Sequence, residues 1–205
     1  MAEFLIPISK NRHMRKLIMG EWISLDGYAA DASGSTDFFT QAGFNDDPES
    51  NQDIQDLMND VDTIILGTNT YKLFVENWPQ VDSGESPTAK KLNETRKLIF
   101  SNSLDSVEWG KWKDVVELVK GDAIASIKKL KTQPGKQIMI WGSISLCNAL
   151  IKAGLIDEIH LRICPVTLGS GLKIFDMDLQ LHNPEVKKYD KGMILAIYKT
   201  ENIQS

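Results

Sequence analysis

Two short segments carry residue types that could hold a phosphorylated ligand. One is Gly67-Thr68-Asn69-Thr70-Tyr71, directly after Ile65-Leu66; the other is Gly142-Ser143-Ile144-Ser145, directly after Ile140-Trp141. Each sets a glycine at the end of an apolar run and hydroxyls where a helix would begin. Glycine lets a ligand approach the backbone closely. A helix N-terminus offers unpaired N–H groups and a partial positive charge, which suits phosphate. On neighbouring parallel strands, two such junctions could hold the phosphates of one dinucleotide at the carboxyl ends of the strands. The plainer reading of the same residues is a turn glycine followed by a helix cap. A third feature is Asp26-Gly27, which ends the first apolar run. An aspartate there orients a ligand, relays a proton or simply forms the turn.

Other chemistry is missing. The chain has no GxGxxG, GxxxxGK[ST] or GxSxG motif. Its histidines, His13, His160 and His182, share no ligand spacing, so no metal site is predicted. His160 alternates within a strand pattern and reads as structural. Cys147 and Cys164 sit in apolar surroundings and read as buried free thiols, which fits a reducing, cytoplasmic compartment. Lys128, Lys129 and Lys131 read as the solvated face of a helix.

The elements that must position these residues follow from periodicity and punctuation. An apolar run over 17–25 reads as a strand buried on both faces. Residues 28–47 are polar and aperiodic, so a long loop is predicted there. Asp47-Pro48 and Ser86-Pro87 read as caps with first-turn prolines, opening helices over 48–60 and from 87 to about 94. Strands are predicted at 63–66, 98–100, 114–119, 137–141 and 158–164. Further helices start near Thr70, after Asp122 and after Ser143, the last stopped by Gly154. Residues 185–199 read as two antiparallel strands around Asp190-Lys191-Gly192. Strands and helices alternate through the middle and strands dominate the end. That order predicts α/β architecture with a mostly parallel sheet and an antiparallel edge.

Composition agrees. A chain of 205 residues with 42% hydrophobic and 25% charged residues is ordinary for a globular domain. A net charge of −5 argues against a nucleic-acid partner, whose phosphates need clustered Lys and Arg. No apolar run reaches the 18 or so residues of a membrane span. Residues 1–13 match no later pattern and read as a leader or tag, leaving 14–205 as a single domain.

The segments Ile138-Met139-Ile140-Trp141-Gly142-Ser143, Gly154-Leu155-Ile156-Asp157-Glu158-Ile159 and Pro165-Val166-Thr167-Leu168-Gly169-Ser170-Gly171, followed by Ile174-Phe175, form a connected series. It resembles the dihydrofolate-reductase-like family, specifically the C-terminal reductase domain of the riboflavin-biosynthesis deaminase-reductases and its stand-alone relatives. Ser24-Leu25-Asp26-Gly27, Leu66-Gly67-Thr68-Asn69-Thr70-Tyr71 and Ile99-Phe100-Ser101-Asn102-Ser103-Leu104 fit the same family, so the resemblance spans about 15–199. It implies a three-layer α/β/α fold around a mixed, mostly parallel sheet of about eight strands with an antiparallel C-terminal edge. It also implies NADPH bound along the carboxyl edge of that sheet. Gly67, Thr68, Asn69 and Thr70 would lie beside the phosphates, and Ser101 and Asn102 near the adenosine ribose. Gly142, Ser143, Ile144 and Ser145 would cradle the pyrophosphate, with Trp141 lining the cleft. The loop after Asp26 would cover nicotinamide and substrate, with Asp26 as the candidate catalytic residue. A homodimer is expected by the same resemblance.

The chain departs from the family at several positions. Thr68 and Asn102 stand where many relatives carry basic residues, so NADH becomes an alternative cofactor; Lys72 is the nearest candidate to compensate. Relatives often have a Gly-Gly pair joined by a cis peptide at the second junction; here the corresponding bond is expected between Trp141 and Gly142. The carboxylate that anchors the pterin in dihydrofolate reductases falls at Asn51, with Asp53 the nearest acid. The acid two places before Gly142 is replaced by Ile140. Phe38, Phe39 and Phe44 would stack on a planar substrate or tether the loop. The expected activity is an NAD(P)H-dependent reductase of a small heterocyclic or imine-like substrate, similar to the 5-amino-6-(5-phosphoribosylamino)uracil reductases. The alternative is a non-catalytic nucleotide- or pterin-binding module on the same fold.

Overall fold

Period-two apolar runs become the strands of one eight-stranded sheet in the computed structural model, which describes residues 14–81, 84 and 86–200. The expected leader over 1–13 lies outside the described residues. In chain order the strands are β1 (Leu17–Ser24), β2 (Tyr28–Ala30), β3 (Val61–Gly67), β4 (Arg96–Phe100), β5 (Val116–Val119), β6 (Gln137–Ile140), β7 (Glu158–Cys164), β8 (Leu172–Lys173), β9 (Glu185–Lys188) and β10 (Ile194–Lys199). The sheet runs β5-β4-β3-β6-β1-β7-β10-β9, with β2 and β8 forming a separate small pair. Strands β5 to β7 in that order are parallel; β10 runs antiparallel to both β7 and β9.

Alternation along each strand feeds two apolar layers. Leu17, Met19, Ile65, Ile138, Ile140 and Ile159 face α5 (Ala123–Lys131) and α6 (Ile144–Lys152). Ile18, Ile64, Leu66, Ile99 and Met139 face the other side, which carries α2 (Pro48–Asn59), α3 (Thr68–Asn77) and α4 (Pro87–Glu94). The fold is therefore the three-layer α/β/α arrangement with an antiparallel edge. The predicted caps do their work: Asp47 accepts from Ser50 N (2.8 Å), Ser86 from Ala89 N (3.2 Å) and Asp122 from Ala125 N (3.1 Å). Each satisfies an N–H group that a helix start leaves without a partner. Ser143 occupies the N-cap position of α6 but makes no side-chain cap bond.

Two expectations change. Residues 28–47 are not featureless: they hold β2, a short helix α1 (Asp37–Thr40) and a 3₁₀ turn at Phe44–Asp46. Pairing of β2 with β8 and stacking of Phe39 on Trp22 at 5.2 Å order a segment that local pattern leaves unassigned. Lys131 is buried rather than solvated like Lys128 and Lys129. Its ammonium donates to Leu155 O (2.7 Å) and to Asp157 (2.5 Å), so α5 is tied to the turn that enters β7.

Glu158, at the start of β7, accepts from His160 Nε2 (3.2 Å) and Lys16 Nζ (2.5 Å). The His160 bond, together with Lys16, outweighs burial and lowers its carboxyl to about 2. An unfolded glutamate titrates near 4.3. The folded form thus gains stability above that value and loses it as pH falls through about 2. Denaturant titrations should show a shallower acid loss of stability in Glu158→Gln than in wild type between about pH 4.5 and about 2.

Candidate functional site

The two junctions singled out by residue type meet in space. Strand β3 ends at Gly67 and passes straight into α3. Its neighbour β6 ends at Ile140, and Trp141-Gly142-Ser143 lead into α6. The N–H of Gly67 donates to Gly142 O at 3.3 Å. A Cβ on Gly67 would overlap the Ser143 hydroxyl and lie 3.0 Å from Ser143 N. Gly142 adopts φ +56°, and a Cβ there would overlap the Thr70 hydroxyl. Both glycines are required by close approach, the second also by its left-handed backbone.

The non-proline cis peptide falls between Gly142 and Ser143, one bond later than expected. Trp141 sets its indole against Phe74, ring centroids 6.2 Å apart, and the side-chain-free position at the contact with α3 is Gly142. Trp141 accordingly packs into the core on the α3 side.

A cavity of about 380 Å³ opens at the carboxyl ends of β3 and β4, beside the start of α6. That size lies within the roughly 300–1,000 Å³ of small-molecule sites. Gly67, Thr68, Asn69, Ser101, Asn102, Ser143 and Ser145 line it, so most of the predicted ligand-holding residues are brought together. Apolar walls come from Phe100, Val119, Ala123, Leu146 and Ala149. Hydroxyls knit the polar side. Thr68 Oγ1 donates to Ser101 Oγ (2.8 Å), which also accepts from Leu104 N (3.1 Å). Asn102 Oδ1 accepts from Gly121 N (2.7 Å), and the Ser143 and Ser145 hydroxyls lie 3.2 Å apart. No lysine or arginine is among the lining residues, and Lys72 is exposed on α3 outside it. Thr70, Trp141, Gly142 and Ile144 do not line this cavity; Ile144 is buried in the core.

Asp26 lies in the turn between β1 and β2 and is not among the residues that line the cavity. Its carboxylate accepts from Ser24 Oγ (2.6 Å), Gly169 N (2.7 Å) and Leu168 N (3.1 Å). The Ser24 bond foremost, with the two backbone donors, lowers it to about 2. The carboxylate ties the first turn to the Leu168-Gly169 turn and carries no proton near neutral pH. Phe39 stacks on Trp22, and Phe44 is buried against Cys164, Tyr189 and Met193. Both tether the 28–47 segment. Asn51 donates to Asn45 O (3.0 Å), while Asp53 accepts from Lys187 (2.7 Å) and Tyr189 (2.6 Å), away from the cavity. Ile140 is fully buried.

Sequence reading passed over Glu21. It lies on β1 on the same face as Leu17, Met19 and Ile23, which otherwise turn apolar side chains to α6. Burial pushes its carboxyl up to about 8, against the pull of a hydrogen bond from the Gly142 backbone. The Cys147 thiol of α6 approaches Glu21 Oε1 at 4.0 Å. The signal was present: one acid interrupts an apolar period-two face.

A family model described as the RibD C-terminal domain matches residues 15–195. An uncharacterized protein, YyaP, of Bacillus subtilis strain 168 is 25% identical over 199 residues, spanning 93% of this chain and 98% of the relative. The crystal structure of a putative riboflavin biosynthesis protein from Shewanella sp. PV-4 superposes with a TM-score of 0.69 at 24% identity. It covers 91% of this chain and 99% of that one. Dihydrofolate reductase from Enterococcus faecalis has the same fold more distantly, with a TM-score of 0.52 at 10% identity over 91% and 97% of the two chains.

Gly142→Ala should destabilise the protein by about 1–3 kcal/mol in denaturant titration, the range for a side chain forced into a left-handed backbone. Adding Thr70→Ala should recover the part due to overlap with the hydroxyl and leave the backbone part, giving a coupling energy in a double-mutant cycle.

Proposed function

The chain belongs to the RibD C-terminal domain family, and from that premise we propose that it is an NAD(P)H-dependent reductase of a small heterocyclic or imine-like substrate. The observation that carries this reading is the meeting of two glycine junctions at the carboxyl ends of adjacent parallel strands, with a hydroxyl-lined cavity beside them. The residues fit an extended phosphorylated cofactor. The missing side chains at Gly67 and Gly142 let the Ser143 and Thr70 hydroxyls close in, and the Thr68, Asn69, Ser101 and Asn102 side chains gather in the cavity beside them.

On this reading Gly67, Thr68 and Asn69 lie along the phosphates and Ser101 and Asn102 near the ribose. Ser143 and Ser145 present the start of α6 to the pyrophosphate. A bound reduced nicotinamide would supply hydride to an electron-poor carbon. The chain's own part is to orient the two reactants and keep water out. Asp26 holds the turn after β1 in register with the Leu168-Gly169 turn. The 5-amino-6-(5-phosphoribosylamino)uracil type of substrate supplies the first acceptor to try. Neutral lining at Thr68 and Asn102 supports weak selection for the 2′-phosphate, since no fixed charge-assisted bond is offered to it. Free buried thiols at Cys147 and Cys164 support a reducing, cytoplasmic setting. No helix among the described residues is long and apolar enough to cross a membrane.

Calorimetric titration of the folded protein with NADPH and with NADH tests the reading. Saturable micromolar binding of both is expected, with less than tenfold preference. Oxidation of the bound cofactor should follow on addition of 5-amino-6-(5-phosphoribosylamino)uracil or another acceptor from an imine and dihydropterin panel. Binding without oxidation by any acceptor would favour the non-catalytic alternative, and absence of binding would remove the cofactor. Thr68→Arg should strengthen NADPH binding roughly 10- to 100-fold and leave NADH unchanged, because a hydrogen bond to a charged group contributes about 1.5–3 kcal/mol.

A further inference from the structure

A second cavity, of about 390 Å³, lies between α2 and the antiparallel edge of the sheet and shares no lining residue with the cofactor cavity. Strand alternation builds its floor. Ile159, Leu161 and Ile163 of β7 face α6, so His160 and Arg162 face α2. Their register partners on β10 are Ile197 and Leu195, and those pair in turn with Glu185 and Lys187 of β9. All six line the cavity, and Asp53, Asp56 and Leu57 of α2 close it from the helix side. Two of the floor side chains are buried and incompletely partnered. Arg162 is 3% exposed. Its Nε donates to Ser50 Oγ (3.0 Å), and the guanidinium lies 5.6 Å from the centre of the Trp22 ring. It forms no ion pair among the described residues. The carboxylate that acts on it, Asp53, is already held by Lys187 Nζ (2.7 Å) and the Tyr189 hydroxyl (2.6 Å). A buried cation without a counter-ion is costly, and an anion arriving beside it offsets that cost. His160 is 7% exposed. Its Nε2–H goes to Glu158 (3.2 Å), so the neutral ring keeps Nδ1 as an acceptor. Nδ1 has no protein partner among the described residues. It is not one of the sealed unpaired atoms, Gln137 Oε1 and Asn148 Oδ1, so it opens on the cavity that its ring lines.

The lining asks for a ligand of both signs. Arg162 calls for an anion. Asp56, bonded to the Gln52 amide (2.9 Å), forms no ion pair among the described residues and calls for a cation. Asp53 and Lys187 neutralise each other, and Glu185 meets Lys199 at 3.4 Å. A plain dianion such as phosphate would reach Arg162 only past Asp56 and Glu185. No cluster of metal-ligating side chains occurs among the described residues, so the cationic part is organic. Leu57, Leu195 and Ile197 supply hydrocarbon for an apolar body. We propose that this cavity is a second ligand site, for a small amphipathic zwitterion, an apolar amino acid or dipeptide: Arg162 takes its carboxylate, Asp56 and His160 Nδ1 its ammonium, and Leu57, Leu195 and Ile197 its side chain. The bidentate fork of a guanidinium matches a carboxylate, and the bond is charge-assisted. The volume is in the range of small-molecule sites, roughly 300–1,000 Å³. The site does not depend on the reductase reading, because the two cavities are built from different residues.

Calorimetric titration of the full-length protein with L-leucine and with leucyl-leucine provides the test. Saturable binding of at least one is expected, at one site per chain. For leucine, 4-methylpentanoate lacks the ammonium and leucinamide lacks the carboxylate. Each should bind roughly tenfold more weakly or worse, the scale of a lost charge-assisted bond. Arg162→Met should lose binding while circular dichroism shows it folded. Asp56→Asn, at an exposed position of α2, should weaken binding roughly tenfold and keep the fold, so the test survives if Arg162→Met does not fold. Absence of saturable binding of both probes up to about 10 mM overturns the site. Wild-type affinity in Asp56→Asn or in a folded Arg162→Met does the same. Inorganic phosphate or 4-methylpentanoate binding as tightly as leucine overturns the zwitterion. Leucine or leucyl-leucine binding by a protein that takes up neither NADPH nor NADH upholds this site and overturns only the reductase reading.

Discussion

The contact between Gly67 and the Gly142-Ser143 peptide is the constraint on which the site depends. Adjacent parallel strands place their carboxyl ends side by side, and here both chains leave the sheet at the same level. Two helices must start within a few ångströms of each other. Backbone can approach backbone that closely only without side chains, which is why both positions are glycine. The hydrogen bond from Gly67 N–H to Gly142 O locks the two departures together. Polar groups close in on that lock, Ser143 against Gly67 and Thr70 against Gly142, and Thr68 on Ser101 lies beside it in the cavity.

The electrostatics divide along the same line. On the α6 side of β3 and β4, the cavity is lined by hydroxyls, amides and apolar carbons with no fixed charge. In the turn after β1, Asp26 is ionised and held by three donors, so its charge is spent on holding turns. Beside Gly142, Glu21 has a backbone donor, the Cys147 thiol and no ion-pair partner among the described residues, so burial dominates and raises its carboxyl to about 8. Two carboxyls five residues apart on one strand and its turn are driven in opposite directions by what surrounds them. An anionic ligand in the neutral cavity would meet no competing carboxylate among the lining residues.

Much of the fold was legible. Asp47-Pro48, Ser86-Pro87 and Asp122 announced three helix starts because a capping side chain is a local interaction, satisfied within three residues. Glu158 to Cys164 reads as a strand because Ile159, Leu161 and Ile163 alternate with Glu158, His160 and Arg162, and Pro165 stops it. The glycine junctions were visible as types and spacing. Lys131 was misread because its partners, Leu155 and Asp157, lie across a strand and a helix from it. Residues 28–47 read as a long loop because the partners that order them, β8 and Tyr189, are distant in sequence and the stacking on Trp22 leaves no periodic signal.

By itself, the sequence determined what is set within a few residues or by strict period: the succession of strands and helices, their caps, the two faces of the sheet, and the glycine-hydroxyl pairs at two strand ends. Tertiary structure decided what depends on through-space neighbours. It chose Gly142 rather than Trp141 as the point of closest approach, turned Trp141 into the core, and sent Asp53 to Lys187 and Tyr189. It also separated the two carboxyls, Asp26 exposed and held by three donors, Glu21 set against the apolar α6 layer. The physical reason is one of range. Backbone propensity and capping act along the chain, whereas burial, desolvation and hydrogen-bond partnership are properties of a place, and a place exists only once the sheet has assembled.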